Sequence, residues 1–114
     1  MPFLNVHTTK AIGGWHAKEF LTAASKLVAT HLEKPESVMM TGIQHPQVMT
    51  LGGSDAVCAM IELTVLGLED HRVPALYDAL QTLAVEHLNL PPDRIFITFH
   101  DVPRGRWGWN GQRF

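Results

Sequence analysis

Ala23-Ala24-Ser25-Lys26-Leu27-Val28-Ala29-Thr30-His31-Leu32-Glu33-Lys34-Pro35 is the stretch that decides the fold. Together with Phe20, its residues Ala24, Leu27, Val28 and His31 recur at three- and four-residue steps, so it closes an amphipathic helix with one apolar stripe. A residue before proline avoids helical backbone, so Lys34-Pro35 ends that helix. The same signature returns about 56 positions later, which marks an internal repeat. Ala23 and Leu27 reappear as Ala79 and Leu83, His31-Leu32 as His87-Leu88, and Pro35 as Pro91.

Working outward, Phe3 to His7 reads as a short strand, Thr8 to Gly14 as a loop, and Trp15 to about Leu32 as the first helix. Val38 to Ile43 reads as a strand. A loop framed by His45-Pro46 and Leu51-Gly52-Gly53-Ser54-Asp55 has room for a short strand at Val48 to Thr50. Val57 to Leu66 is almost wholly apolar, the pattern of a strand covered on both faces. A second helix spans about Val73 to Leu88, its stripe carrying Leu76, Tyr77, Leu80, Leu83, Ala84 and Leu88, and Pro91-Pro92 ends it. In Arg94 to His100, Ile95, Ile97 and Phe99 face one way and Phe96, Thr98 and His100 the other.

The order is β-α-β twice. Each unit takes a right-handed crossover with its helix over the sheet. The expected fold class is therefore α+β: two βαβ repeats, about residues 1–56 and 57–114, in one domain with a four-stranded mixed sheet and two helices on one face. No element remains to cover the other face, so a further copy of the chain is its natural cover.

Composition agrees. The chain has 114 residues, 46% of them hydrophobic and 18% charged. The charged share of ordinary domains is about 25%, so an oligomer interface would account for the missing charge. A formal net charge of −2 provides no basic field for nucleic acid or anionic membrane. Cys58 is the one cysteine, which excludes an internal disulfide and any CxxC motif. No apolar run reaches the roughly 18 residues of a membrane span. Met1-Pro2-Phe3-Leu4-Asn5-Val6 has no basic leader, which makes the cytoplasm the default compartment.

Most site signals are missing. The seven histidines form no HxxxH pair, so no metal site is expected. There is no GxSxG elbow, no GxGxxG after a strand and no Walker loop, and no cofactor is expected. Gly52-Gly53-Ser54-Asp55 reads as a turn rather than a phosphate cradle, and Cys58 as a buried, inert thiol.

Three features remain. Pro2 follows the initiator methionine and is small enough for Met1 to be trimmed, which would expose a secondary amine. An α-amino group titrates at about 7.7–8.0 in water, and desolvation lowers that value. Such an amine is a neutral base near pH 7, matched to proton transfer; the plain alternative is an ordinary strand start. Lys34 reads either as a solvated cation at a helix end or as a clamp for a substrate carboxylate. The tail interleaves Arg104, Arg106, Trp107, Trp109, Arg113 and Phe114 with glycine. It reads as an aromatic segment packed on its own or a neighbouring subunit, with single-strand nucleic-acid binding as the lesser reading.

Taken together, Met1-Pro2-Phe3, Lys34-Pro35, Leu51-Gly52-Gly53-Ser54 with Cys58-Ala59, Pro92-Asp93-Arg94-Ile95, Asp101, Gly108-Trp109-Asn110 and the final Phe114 resemble the macrophage migration inhibitory factor and D-dopachrome tautomerase family of the tautomerase superfamily. The resemblance covers nearly the whole chain. It implies a homotrimer and keto–enol tautomerisation of phenylpyruvate-type α-keto acids and dopachrome derivatives. It implies that Pro2 is the base and acid, that Lys34 holds the substrate carboxylate, and that the Leu66 backbone N–H donates a further bond. Phe96 and Thr98 would come from the adjacent subunit, and Trp107, Trp109 and Phe114 would line an aromatic slot.

The chain departs from the best-known members at several of these positions. They carry tyrosine at Phe96, asparagine at Thr98, tyrosine at Val38 and a smaller aliphatic at Trp107, so the pocket here should be more apolar. Ile61 stands where a second cysteine would complete a CxxC pair, so a thiol-oxidoreductase activity is not carried over. A cytokine-like binding module with a vestigial pocket is the alternative reading, and export without a leader is compatible with the family.

Overall fold

A computed structural model describes all residues, Met1–Phe114. The chain runs β1 (Pro2–Thr8), α1 (Gly14–Leu32), β2 (Met40–Gln44), β3 (Ala59–Leu66), α2 (Val73–Leu88), β4 (Ile95–Val102), and then two short strands, β5 (Gly108–Trp109) and β6 (Gln112–Arg113). The main sheet has the order β2-β1-β3-β4. The two outer pairings, β1 with β2 and β3 with β4, are parallel and belong to the two βαβ units, while β1 and β3 join antiparallel at the centre. The architecture is the expected α+β one, a mixed sheet of four strands with two βαβ units.

The two units end their helices alike. α1 stops at Glu33 and α2 at Asn89, both in left-handed backbone, at φ 54° and 53°. At α1 the N–H groups of Glu33 and Lys34 return to the carbonyls of Thr30 and Ala29, satisfying the last turn. A proline follows each helix, and then a single 3₁₀ turn, Glu36–Val38 in one unit and Pro92–Arg94 in the other. Each helix also closes the other's end. The Arg72 guanidinium donates to the His31 carbonyl, and the His16 ring bonds the His87 carbonyl.

The core lies between the helices and one face of the sheet. Leu4 and Val6 from β1, Ile61 and Leu63 from β3, Phe20 and Val28 from α1, and Leu76 and Leu80 from α2 are all at most 1% exposed. Thr8 is buried with them because its hydroxyl donates to the Cys58 carbonyl at 2.8 Å.

Several local expectations need correction. Strand β3 is covered on one face only: Ile61, Leu63 and Val65 are buried, while Met60, Glu62, Thr64 and Leu66 between them stay half-exposed. An apolar run does not say how many faces are covered within one chain. Tyr77 leaves the apolar stripe and stands 44% exposed, since its place on α2 turns it away from the sheet. No strand forms at Val48 to Thr50. Instead Leu51 and Ser54 exchange two backbone bonds of 3.1 Å around Gly52 and Gly53, whose φ values are 62° and 77°. This is the turn expected there, and positive φ explains its glycines. The Arg94 guanidinium pins it by donating to the carbonyls of Leu51, Ser54, Ala56 and Val57.

The tail folds as a hairpin that the strand patterns did not reveal. Its turn is Asn110-Gly111, both at positive φ, the pair favoured by two-residue hairpin turns. Phe114 closes the unit with its N–H on the Trp107 carbonyl at 2.8 Å.

Candidate active site

The start of β1, the segment after α1 and the tail hairpin meet around a cleft of about 480 Å³. Pro2 lines it, with Phe3, Val38, Met40, Trp107 and Trp109 among its apolar neighbours. Such a volume falls in the range of small-molecule sites. Ser37, Thr64 and Arg106 supply the polar side chains of the wall, and no carboxylate lines it. Thr64 reaches the cleft because it lies opposite Phe3 across the β1–β3 pairing.

Pro2 itself is buried at the first position of β1, opposite Val65. With Met1 attached, its nitrogen is a tertiary amide with no basic lone pair. The Met1 carbonyl also takes the Leu66 N–H at 3.2 Å. The chain's amino group therefore sits at the cleft. Burial pushes its pKa below the ordinary 8.0, and the Lys34 charge pushes it the same way.

Lys34 is held by its neighbours rather than by its own side chain. Arg72 donates to the Glu33 carboxylate at 2.8 Å, to the Glu69 carboxylate at 2.9 Å and to the His31 carbonyl at 3.0 Å, fixing the corner that carries Lys34. These bonds hold the Glu69 carboxyl below the usual carboxylate range, and Lys34 adds to that shift by its charge. Lys34 thus acts by its field on both Glu69 and the chain terminus. It is not part of the cleft wall.

Among the other expected residues, Trp107 and Trp109 line the cleft with Pro2. Phe114 packs behind Trp109, ring centroids 6.2 Å apart and planes 37° apart. Phe96 and Thr98 are elsewhere. Phe96 pairs with Met60 on β3, which pairs with His7 at the far end of β1 from Pro2. That separation is roughly 16 Å along the strands and about 10 Å across them. Within one chain these side chains do not meet Pro2. Phe96 is 56% exposed on the uncovered sheet face.

The cleft residues that sequence reasoning did not assign to a site are Ser37, Met39 and Met40 just after Lys34-Pro35, Thr64 on the open face of β3, and Arg106. Arg106 had a local signal, since it directly precedes Trp107. Thr64 had none, because only the antiparallel register brings it beside Phe3.

A family model described as "Macrophage migration inhibitory factor (MIF)" matches residues 1–114, the whole chain. The chain belongs to the macrophage migration inhibitory factor family. It therefore lies in the tautomerase superfamily. A macrophage migration inhibitory factor homolog of Brugia malayi is 33% identical over 96 residues, 83% of this chain and 84% of that one. A homolog of Trichuris trichiura is 34% identical over 97 residues, covering 84% and 85%. Among solved structures, the macrophage migration inhibitory factor homologue from Prochlorococcus marinus superposes with a TM-score of 0.91 at 31% identity, covering 98% of both chains. Within this family fold, no helix is long and apolar enough to cross a membrane.

Proposed function

We propose that this chain is a keto–enol tautomerase for phenylpyruvate-type α-keto acids, with dopachrome derivatives as a second class, and that the amine of Pro2 is its base and acid once Met1 is removed. One observation carries the reading: Pro2 lines a cleft walled by Trp107 and Trp109, and next to it burial and the Lys34 charge lower the pKa of the Met1 amino group. A neutral amine takes a proton from the carbon next to the ketone and returns one to the oxygen, so the atoms balance without a cofactor. Removal of Met1 does two things. It turns the Pro2 nitrogen from an amide into a secondary amine, and it releases the Leu66 N–H from the Met1 carbonyl for a substrate oxygen. Lys34 supplies the positive charge for the substrate carboxylate, and Trp107, Trp109 and Phe114 form the aromatic slot.

Phe96 and Thr98 belong to this site only through another copy of the chain. Their distance from Pro2 and their place on an uncovered sheet face support a homotrimer in which each site lies between subunits. One domain, residues 1–114, is then the folding unit and the trimer the catalytic unit. The apolar Phe96 stands where the best-known members carry tyrosine, so the neighbouring copy would bring one hydrogen-bonding group fewer to the site. A protein of the cytoplasm that is also exported fits the family.

A second reading is a cytokine-like binding module with a vestigial pocket. What favours it is Phe96 in place of tyrosine and Thr98 in place of asparagine, which removes two polar contacts that the best-known members make. Intact mass and a phenylpyruvate assay on the same sample separate the two. Turnover is expected to track the fraction lacking Met1. Full turnover with Met1 still attached defeats the Pro2 mechanism, and negligible turnover in trimmed protein favours the binding module.

A further inference from the structure

We infer that the Pro2 cleft selects 2-oxo acids carrying a second, distal carboxylate, and that Arg106 is the side chain that binds it. The inference rests on the tautomerase reading of the same site and names its substrate class.

Arg106 is the only charged side chain in the cleft wall, and no carboxylate stands there to neutralise it. The contrast with the buttressing arginines is plain. Arg72 is tied to two carboxylates and a carbonyl, and Arg94 to four carbonyls. The Arg106 guanidinium makes no hydrogen bond or ion pair within the chain, so all five of its donors are free for a ligand.

Its backbone is nevertheless fixed. The Arg106 N–H donates to the Pro103 carbonyl at 3.2 Å, closing a turn through Gly105 at φ 92°. The Gly105 and Trp107 N–H groups both reach the Phe114 carbonyl, locking this turn to the end of the hairpin. Because Arg106 directly precedes Trp107, the guanidinium emerges beside the aromatic wall. The Lys34 charge, in contrast, acts on the amino terminus.

Two cations with separate stations suit two anions. The carboxylate next to the reacting ketone belongs with Lys34 and the amine. A planar guanidinium beside a tryptophan wall suits a second carboxylate on the ring or chain end, held by paired hydrogen bonds. A substrate with a plain phenyl ring leaves Arg106 unmatched.

The test uses the full-length protein freed of Met1. It compares kcat/KM for phenylpyruvate and for its para-carboxy derivative, and the ratio between them is the readout. The wild type is expected to prefer the dicarboxylate at least fivefold at low salt, with the preference shrinking as salt screens the charges. Arg106→Ala is expected to bring the ratio to about one and Arg106→Glu to reverse it. Arg104→Ala, which alters a neighbouring cation outside the cleft wall, is expected to keep the wild-type ratio.

Absence of preference in the wild type overturns the inference. So does an Arg106→Ala variant that loses both substrates equally, because Arg106 would then hold the first carboxylate. If trimmed protein turns over neither compound, the tautomerase reading fails on its own. Equilibrium binding of the two compounds, read by tryptophan fluorescence, then decides: an Arg106-dependent preference upholds the anion site, and equal binding ends it.

Discussion

The two βαβ units share one design and differ in what they do with it. Position by position, Pro2 of the first corresponds to Cys58 of the second, and Lys34 to Leu90. Pro2 begins a strand at the chain's end and lines a cleft. Cys58 lies within the chain, its N–H bonded to the Thr9 hydroxyl at 3.1 Å and its thiol buried. Lys34 projects from the corner after α1, whereas Leu90 is 2% exposed in the core. The scaffold is thus duplicated but the chemistry is not. A base made from a backbone nitrogen exists only at a chain terminus, and the repeat has one such end.

The sharpest way to break this comparison is to exchange the fates of Pro2 and Cys58. Pro2→Gly keeps a trimmed amino terminus but replaces the cyclic secondary amine. It is expected to lower phenylpyruvate kcat/KM by about 10²-fold, within the usual contribution of a positioned proton-transfer group. Cys58→Ala removes one buried sulfur and is expected to leave kcat/KM within about twofold. Steady-state kinetics on both variants check this, and equal losses would erase the distinction between the units.

The second contrast is Leu90 against Lys34. Leu90→Ala opens the core and should cost about 2–5 kcal/mol in urea unfolding. Lys34→Ala, on the surface, should change stability by less than about 0.5 kcal/mol. It should instead lower phenylpyruvate kcat/KM roughly ten- to a hundredfold, the worth of one charge-assisted bond. A Lys34 variant with wild-type kinetics would leave the first unit without its anion clamp.

A smaller effect sharpens the same comparison through pH. In the Met1-bearing chain the amino group has its pKa lowered from 8.0 by burial and by Lys34. The unfolded chain therefore holds that proton to higher pH than the folded one. Stability should rise with pH between the lowered value and 8.0, and be flat beyond it. In trimmed protein the amine must be neutral to act, so kcat/KM should fall about tenfold per pH unit below its pKa. Lys34→Ala should move that acidic limb upward, because a cation favouring the neutral amine is gone. A limb that does not move would show that burial alone lowers the amine.

Much of the fold was legible because its signals are local. The stripe through Ala24 and Val28 defined α1, its repetition defined α2 to the residue at Leu88, and the prolines at positions 35 and 91 marked both ends. The left-handed caps at Glu33 and Asn89 had weaker signals, since neither is glycine, and the Asn110-Gly111 hairpin had a strong one that was passed over. Of the candidate site, Pro2, Trp107 and Trp109 line one cleft. Phe96 and Thr98, which the resemblance assigns to an adjacent subunit, lie away from Pro2 within the chain, Phe96 in register with His7 and Thr98 with Asn5 across β3.

What the sequence determined by itself was the set of parts: two helices, their strands, the repeat that orders them, and a proline at position 2. Periodicity, proline sterics and chain position need no long-range contact to act. What only the tertiary structure decided was the company each residue keeps. The antiparallel β1–β3 register sets Thr64 beside Phe3, and the closure of the tail on Phe114 brings Arg106 and two indoles to Pro2. These pairings join residues far apart in the chain, and their positions are set by packing and hydrogen bonding across the whole fold, which no local pattern encodes.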